Sequence, residues 1–167
     1  AADGAIIIAQ EGNKALLLEV NCQTDFVAKD ANFTAFANKV AELALANNTT
    51  DVAAISALPY GDGQTVEEAR VELVQKIGEN IQVRRAEVIE GDNLASYRHG
   101  IRIGVVVSVE GGNADTAKHV AMQVAAFNPI AVDEANVPAD TLAREKDIIE
   151  AKAKESGKPD AVIEKMI

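Results

Sequence analysis

The order of apolar and polar residues predicts a β-hairpin followed by a helix in the first part of the chain. Two runs rich in aliphatic residues, 5–10 and 15–22, are separated by turn-forming residues at 11–13, which is typical of an antiparallel hairpin. Apolar residues then recur at helical spacing over about residues 32–46. We therefore expect two strands, a joint, and a helix that covers one face of the strands.

The middle of the chain carries the clearest helix boundaries. Thr65 and Glu68 have the spacing of a capping box, and Gly78 suits the end of a helix, so we expect a helix over residues 65–77. Residues 81–90 predict a strand. Its alternation of apolar and polar residues slips near Arg84-Arg85, which indicates a β-bulge.

A second segment repeats the order of hairpin, break and helix. Residues 94–99 and 101–110 predict two strands with a turn at Gly100, and residues 114–127 predict a helix. Internal duplication and chance similarity between two common motifs both account for this repeat. The remainder of the chain, 138–167, predicts two helices joined near residues 156–159, a helical hairpin that projects from the body.

The two repeats differ in the length of chain that joins the last strand to the helix. Residues 22–33 make this joint in the first repeat, and residues 111–115 make it in the second. Because the second repeat forms the same order of elements with a shorter joint, the fold does not require the additional length. Function is often carried by such insertions on a shared scaffold, so we expect the first joint to be functional.

Composition narrows the classes of ligand. The 167 residues carry a formal net charge of -10, and aromatic residues make up 4% with no Trp. An acidic surface repels phosphate backbones, and few aromatics leave little for base stacking, so we expect no direct nucleic-acid binding. A protein partner with a basic patch suits this charge better.

The same sequence gives expectations about location. Its longest apolar runs are much shorter than the ~20 residues of a membrane helix, so we expect no membrane association. A single cysteine, Cys22, forms no internal disulfide, which fits the reducing cytoplasm.

Motifs of catalysis and metal binding are not found in the sequence. It has two histidines, and it contains no His-Glu-x-x-His, Cys-x-x-Cys, Gly-x-Ser-x-Gly or phosphate-loop motif. Cys22, at a strand end, fits a small buried apolar side chain better than a nucleophile. We therefore expect a protein that is not an enzyme and that needs no cofactor or metal of its own.

The segment 24–30 leaves two interpretations open. In one, it is a helical turn capped by Thr24 or Asp25, with Phe26 folded into the core. In the other, Phe26 stands on the surface, where it forgoes about 2–3 kcal/mol of burial unless a partner covers it. The residues alone favour neither interpretation.

Five motifs give the chain a resemblance to a known family. They are NCQTDFVAKD (residues 21–30), KIGENIQVRR (76–85), SYRHG (96–100), RIGV (102–105) and SGKP (156–159). In this order they resemble the elongation factor Ts family, the bacterial and organellar exchange factors of elongation factor Tu. The resemblance implies an α+β fold with two related subdomains of antiparallel sheet and helices, plus a protruding helical hairpin.

The resemblance also implies a function and a set of site residues. Members of the family act as guanine-nucleotide exchange factors that promote release of GDP from elongation factor Tu. On this basis Asp25 and Phe26 enter the partner's nucleotide domain and disturb its binding of Mg²⁺ and phosphate. The other expected partner contacts are Thr24, Val27, Ile77, Gly78 and His99.

The resemblance finally sets expected domain limits. Residues 1–92 would form the N-terminal core subdomain, 93–137 a C-terminal core subdomain, either complete or incomplete, and 138–167 the start of the helical hairpin. The family's N-terminal helical module and the strands that follow its hairpin have no counterpart here, so we expect a fragment. The alternative function is accordingly a truncated core that docks on elongation factor Tu with weak exchange activity.

Overall fold

The two hairpins, strand β5 and the longer helices follow one another in the order that the hydrophobic pattern predicted, whereas a short helix and two short strands between residues 52 and 65 were not predicted. The computed structural model describes residues 3–157 and 159–166. The strands are β1 (Asp3–Glu11), β2 (Lys14–Cys22), β3 (Pro59–Gly61), β4 (Gln64–Thr65), β5 (Gln82–Glu90), β6 (Leu94–His99) and β7 (Ile103–Ser108). The helices are α1 (Asp25–Ala28), α2 (Ala31–Ala46), α3 (Val52–Ala57), α4 (Val66–Ile77), α5 (Ala114–Phe127), α6 (Ala139–Glu155) and α7 (Asp160–Met166), with a 3-10 turn at Glu134–Asn136.

These elements confirm the predicted α+β class, and they form two units. The first unit contains residues 1–128 and the second contains residues 129–167. The subdomain limits expected at residues 92 and 137 stay a prediction. Among the described residues, no helix is both long and apolar enough to cross a bilayer.

The core of the first unit lies between a three-stranded sheet and helix α2. The sheet has the order β1-β2-β5, so β2 is its central strand. Leu16, Leu18 and Val20 are fully buried, and they share one face of the sheet because side chains alternate along a strand. Phe33 and Val40 of α2 belong to the same cluster of buried residues.

The β-bulge that the sequence indicated lies at Arg84. Glu19 pairs with Arg85 and Val20 pairs with Val83, so Arg84 is the additional residue on β5. The bulge lets both arginines reach one carboxylate: Nε of Arg85 lies 2.7 Å from Glu19, and Nε of Arg84 lies 3.5 Å from it. The slip in the alternation is therefore confirmed, and it brings two positive charges to one side of the sheet.

The second hairpin is shorter than the sequence predicted. Its strands β6 and β7 pair from Leu94↔Ser108 to His99↔Ile103, and helix α5 packs against both. The predicted second strand was 101–110, but residues 101 and 102 belong to the turn, where Gly100 has a φ of 62°. Ile101 instead accepts a hydrogen bond at its carbonyl from the backbone amide of Ile6, at 2.8 Å.

The second unit contains the predicted pair of helices. α6 and α7 pack against each other around a turn at Ser156 and Gly157, and Gly157 has a φ of 72°. An ion pair between Lys154 and Glu150, 2.8 Å apart, lies along one face of α6. Of the residues expected in this hairpin, Lys158 and Ile167 lie outside the described residues.

Candidate protein-binding site

The joint between β2 and α2 contains a single helical turn, α1, held between two helix caps. The hydroxyl of Thr24 accepts a hydrogen bond from the amide of Val27 at 3.4 Å, which caps α1. Asp30 caps α2 by accepting from the amides of Asn32, at 2.9 Å, and Phe33, at 3.3 Å. Each cap satisfies amides that the first turn of a helix leaves without partners. The course of the chain through the joint is therefore fixed at both ends.

Helix α1 exposes one half of its residues and buries the other. Ala28 is 2% exposed, and Val27 packs against the main core. Asp25 is exposed, and the side chain of Phe26 is 82% exposed. Of the two interpretations of this segment, the structure has the turn capped by Thr24 but does not fold Phe26 into the core.

The exposure of Phe26 is unusual within this part of the chain. Phe33 and Phe36, on the helix that follows, are 0% and 3% exposed. Leaving a phenylalanine ring in water forgoes about 2 kcal/mol of hydrophobic stabilisation. An exposed ring on a capped turn has the character of an interface anchor, since aromatic side chains dominate the energetics of many interfaces.

Two hydrogen bonds tie this turn to the loop after α4. The hydroxyl of Thr24 donates to Oε1 of Glu79 at 2.7 Å, and the backbone amide of Asn80 donates to Oε1 of Gln23 at 2.9 Å. Helix α4 ends at Ile77 immediately before this loop, and its C-cap Gly78, with a φ of 84°, turns the chain away. Ile77 and Gly78 thus directly precede, along the chain, the two residues that bond Gln23 and Thr24 at the start of α1.

The capping box at the start of α4 forms in a modified version. The hydroxyl of Thr65 accepts from the amide of Glu68 at 3.2 Å, as expected for a helix cap. The carboxylate of Glu68 accepts from the same hydroxyl at 3.3 Å, whereas in a capping box it accepts from the backbone amide. The start of α4 is therefore still capped.

His99 lies in a different place from the other expected contact residues. It is the last residue of β6, beside the turn at Gly100, and its side chain is exposed. Its Nδ1 lies 3.5 Å from the hydroxyl of Tyr97.

Cys22 lies directly before the joint and is fully buried. Its thiol donates to the carbonyl of Thr24 at 3.2 Å. Burial raises the pKa of the Cys22 thiol, and the charges of Glu79 and Asp3 raise it further. A thiol held in its protonated form is a poor nucleophile, which agrees with the prediction that Cys22 is a small buried side chain.

Three residues of the site were not predicted from the sequence: Gln23, Glu79 and Asn80. Thr24 and Glu79 are 55 positions apart along the chain. The αL glycine before Glu79 indicates where the helix ends, but nothing in a single sequence indicates which segment the following loop meets. Among the described residues, no group of three or more His, Cys, Asp or Glu side chains is placed to hold a metal ion.

Comparison with known proteins identifies a family that the chain matches. The family model described as elongation factor TS matches residues 23–167. Proteins named elongation factor Ts from Psychrobacter sp. (strain PRwf-1), Psychrobacter arcticus and Acinetobacter baumannii are 81%, 75% and 65% identical over all 167 residues. The chain spans 57% of the length of each of these relatives.

Proposed function

This chain belongs to the elongation factor Ts family, and we propose that it binds elongation factor Tu and acts as its guanine-nucleotide exchange factor during translation elongation. The observation that carries the proposal is the exposed ring of Phe26, 82% accessible on a turn that Thr24 caps and that leads directly into the capped start of α2. A flexible loop would lose conformational entropy when it bound, whereas a turn already held in place loses little. A cytoplasmic location follows from this partner.

In the proposed mechanism, Phe26 enters the nucleotide domain of elongation factor Tu, and Asp25 lies beside it. Insertion of the ring displaces elements of the partner that hold its Mg²⁺ and the phosphates of GDP. Because a bound divalent cation is often the largest local charge in such a site, a weakened Mg²⁺ contact lets GDP dissociate faster. The chain itself makes and breaks no covalent bond.

Thermodynamic linkage makes the effects of the chain and of GDP on each other's affinity for elongation factor Tu reciprocal. If the chain lowers the affinity of elongation factor Tu for GDP, then GDP lowers the affinity for the chain by the same factor. Incoming nucleotide therefore releases the chain, which can act again. The proposal needs no cofactor, no direct nucleic-acid contact and no membrane contact of the chain.

An alternative within the same family is a core that docks on elongation factor Tu and exchanges nucleotide poorly. This alternative is considered because the chain spans 57% of the length of its relatives. Insertion of the Phe26 ring displaces elements of the partner only when the rest of the interface holds the ring in place. Binding and exchange must therefore be measured separately.

Release of a fluorescent GDP analogue from elongation factor Tu tests both possibilities. An exchange factor raises the release rate as its concentration increases, whereas a docking core forms a complex in titration calorimetry and leaves the rate unchanged. Chelation of Mg²⁺ by EDTA is the matched control. If the chain acts through the Mg²⁺ contacts, its fold-acceleration falls once the ion is already gone. Absence of any complex would contradict both functions.

A further inference from the structure

Glu79 joins the turn that carries Phe26 to the end of α4. Its Oε1 accepts a hydrogen bond from the hydroxyl of Thr24 at 2.7 Å. That hydroxyl also accepts from the amide of Val27, so it serves as donor and acceptor at once. A hydroxyl has one hydrogen and two lone pairs. When the hydrogen is directed to Glu79, the lone pairs remain free to cap α1.

Helix α1 depends on such contacts because it is so short. It has four residues, and one isolated helical turn does not hold itself together, since helix nucleation is unfavourable. The bond from Asn80 to Gln23, at 2.9 Å, is a second tie to the same loop. Ala28 is buried and fixes the inner side of α1, but it does not fix the Thr24 end.

Glu79 is not an ordinary surface carboxylate. It is half-buried, and its Oε2 is buried without a hydrogen-bond partner among the described residues. Burial of a carboxylate oxygen costs desolvation, which sets Glu79 apart from a fully exposed glutamate. An exposed glutamate on the preceding helix α4, Glu72, has no such role and accepts from Gln64 of the neighbouring strand β4.

We infer that Glu79 is a positioning residue, which orients the Phe26 turn for its partner by bonding the hydroxyl of Thr24. The inference rests on the proposed exchange function for its consequence and on the two hydrogen bonds at Thr24 for its geometry. Glu79 acts through Thr24 and need not touch the partner. Its loss releases the Thr24 end of α1, so the ring of Phe26 must be ordered again at each binding event.

Matched substitutions test this role in the exchange assay. Glu79→Ala removes the acceptor, and Thr24→Val removes the hydroxyl at nearly constant shape. Each is expected to lower the acceleration of GDP release about tenfold. Glu79→Gln and Thr24→Ser keep an acceptor and a hydroxyl, and both should stay within about threefold of the unaltered chain. Glu72→Ala is the control on α4 and should change nothing.

The double variant Thr24→Val with Glu79→Ala shows whether the two residues act together. If they share one contact, the double variant loses about as much as either single variant, because coupled residues are not additive. A loss near hundredfold would mean independent effects and would overturn the inference.

Hydrogen exchange in the free protein tests the inference without elongation factor Tu. Protection of the amides of Val27 and Ala28 should fall about tenfold in Glu79→Ala and should be retained in Glu79→Gln. If the unaltered chain fails to accelerate GDP release, the proposed function is wrong, and hydrogen exchange still decides the role of Glu79. If the chain is active and Phe26→Ala impairs it, but Glu79→Ala changes neither rate nor protection, the inference about Glu79 alone is wrong.

Discussion

Replacing Phe26 by alanine separates a role in binding from a role in folding. The ring is 82% exposed, so its removal takes little from the packed core. Full burial of a phenylalanine side chain is worth at most about 3 kcal/mol. The remaining contact of Phe26 with the protein then accounts for about 0.5 kcal/mol or less of the free energy of unfolding.

The expected effect on exchange is much larger. If elongation factor Tu covers the ring, Phe26→Ala loses the transfer free energy of the exposed part, about 2 kcal/mol. Each 1.4 kcal/mol corresponds to a factor of ten, so the acceleration of GDP release should fall about 30-fold. Phe26→Leu keeps an apolar side chain and should lose only part of this.

Stopped-flow measurement of fluorescent GDP release provides the assay, and urea denaturation of the same variants measures stability. Phe127 supplies the matched control, because its ring is 74% exposed and lies on α5 rather than α1. With Phe127→Ala, we expect elongation factor Tu to release GDP at the same rate as with the unaltered chain. Unchanged release with Phe26→Ala, or equal losses in both variants, would refute the role given to the turn.

Three further predictions concern the scaffold of the site. Phe33→Ala should lower the free energy of unfolding by about 3–5 kcal/mol in urea denaturation, because this ring is 0% exposed and its removal leaves a cavity; a loss below 1 kcal/mol would contradict its place in the core. Gly78→Ala should lower the free energy of unfolding by about 1 kcal/mol in the same assay, because a φ of 84° strains any residue with a Cβ. The space around Gly78 is open, so the added Cβ meets no other atom. An unchanged midpoint of urea denaturation would contradict this. Because the pKa of the Cys22 thiol is raised in the folded state, the folded protein keeps the thiol proton at pH values above about 8.5, the pKa of the thiol in the unfolded state. This contribution to stability is full below that pH and is lost as pH rises through the folded pKa, so the unfolding free energy should fall in alkaline urea titrations by a step that Cys22→Ala lacks.

The elements with strong local signals were predicted well from the sequence. Helix α5 has the predicted limits, Ala114–Phe127, because Asn113 caps its start and Asn128 adopts the left-handed conformation at its end. The slip at Arg84 was visible because a bulge shifts which residues face the core. These features depend on residues close together in the chain, so a single sequence contains them.

Contacts between distant segments were not predictable in the same way. The turn at Gly100 is wider than expected because Ile101 bonds to Ile6 of another strand, and the apolar pattern carries no sign of that bond. Whether Phe26 is exposed was equally open. Its position in a capped turn follows from Thr24, but the side it faces depends on how Ala28 and Val27 meet a core built from other segments.

The comparison of the two repeats explains why α1 is free to carry a function. Helix α5 starts at Asn113, which caps it from the joint after β7, and helix α2 starts in the same way at Asp30. Because Asp30 caps α2 by itself, α1 is not required to begin that helix. The joint is nevertheless not a loose insertion, since Ala28 is 2% exposed within the core. The additional chain therefore has an inner half that serves the fold, and only its outer half, with Phe26, is available to a partner.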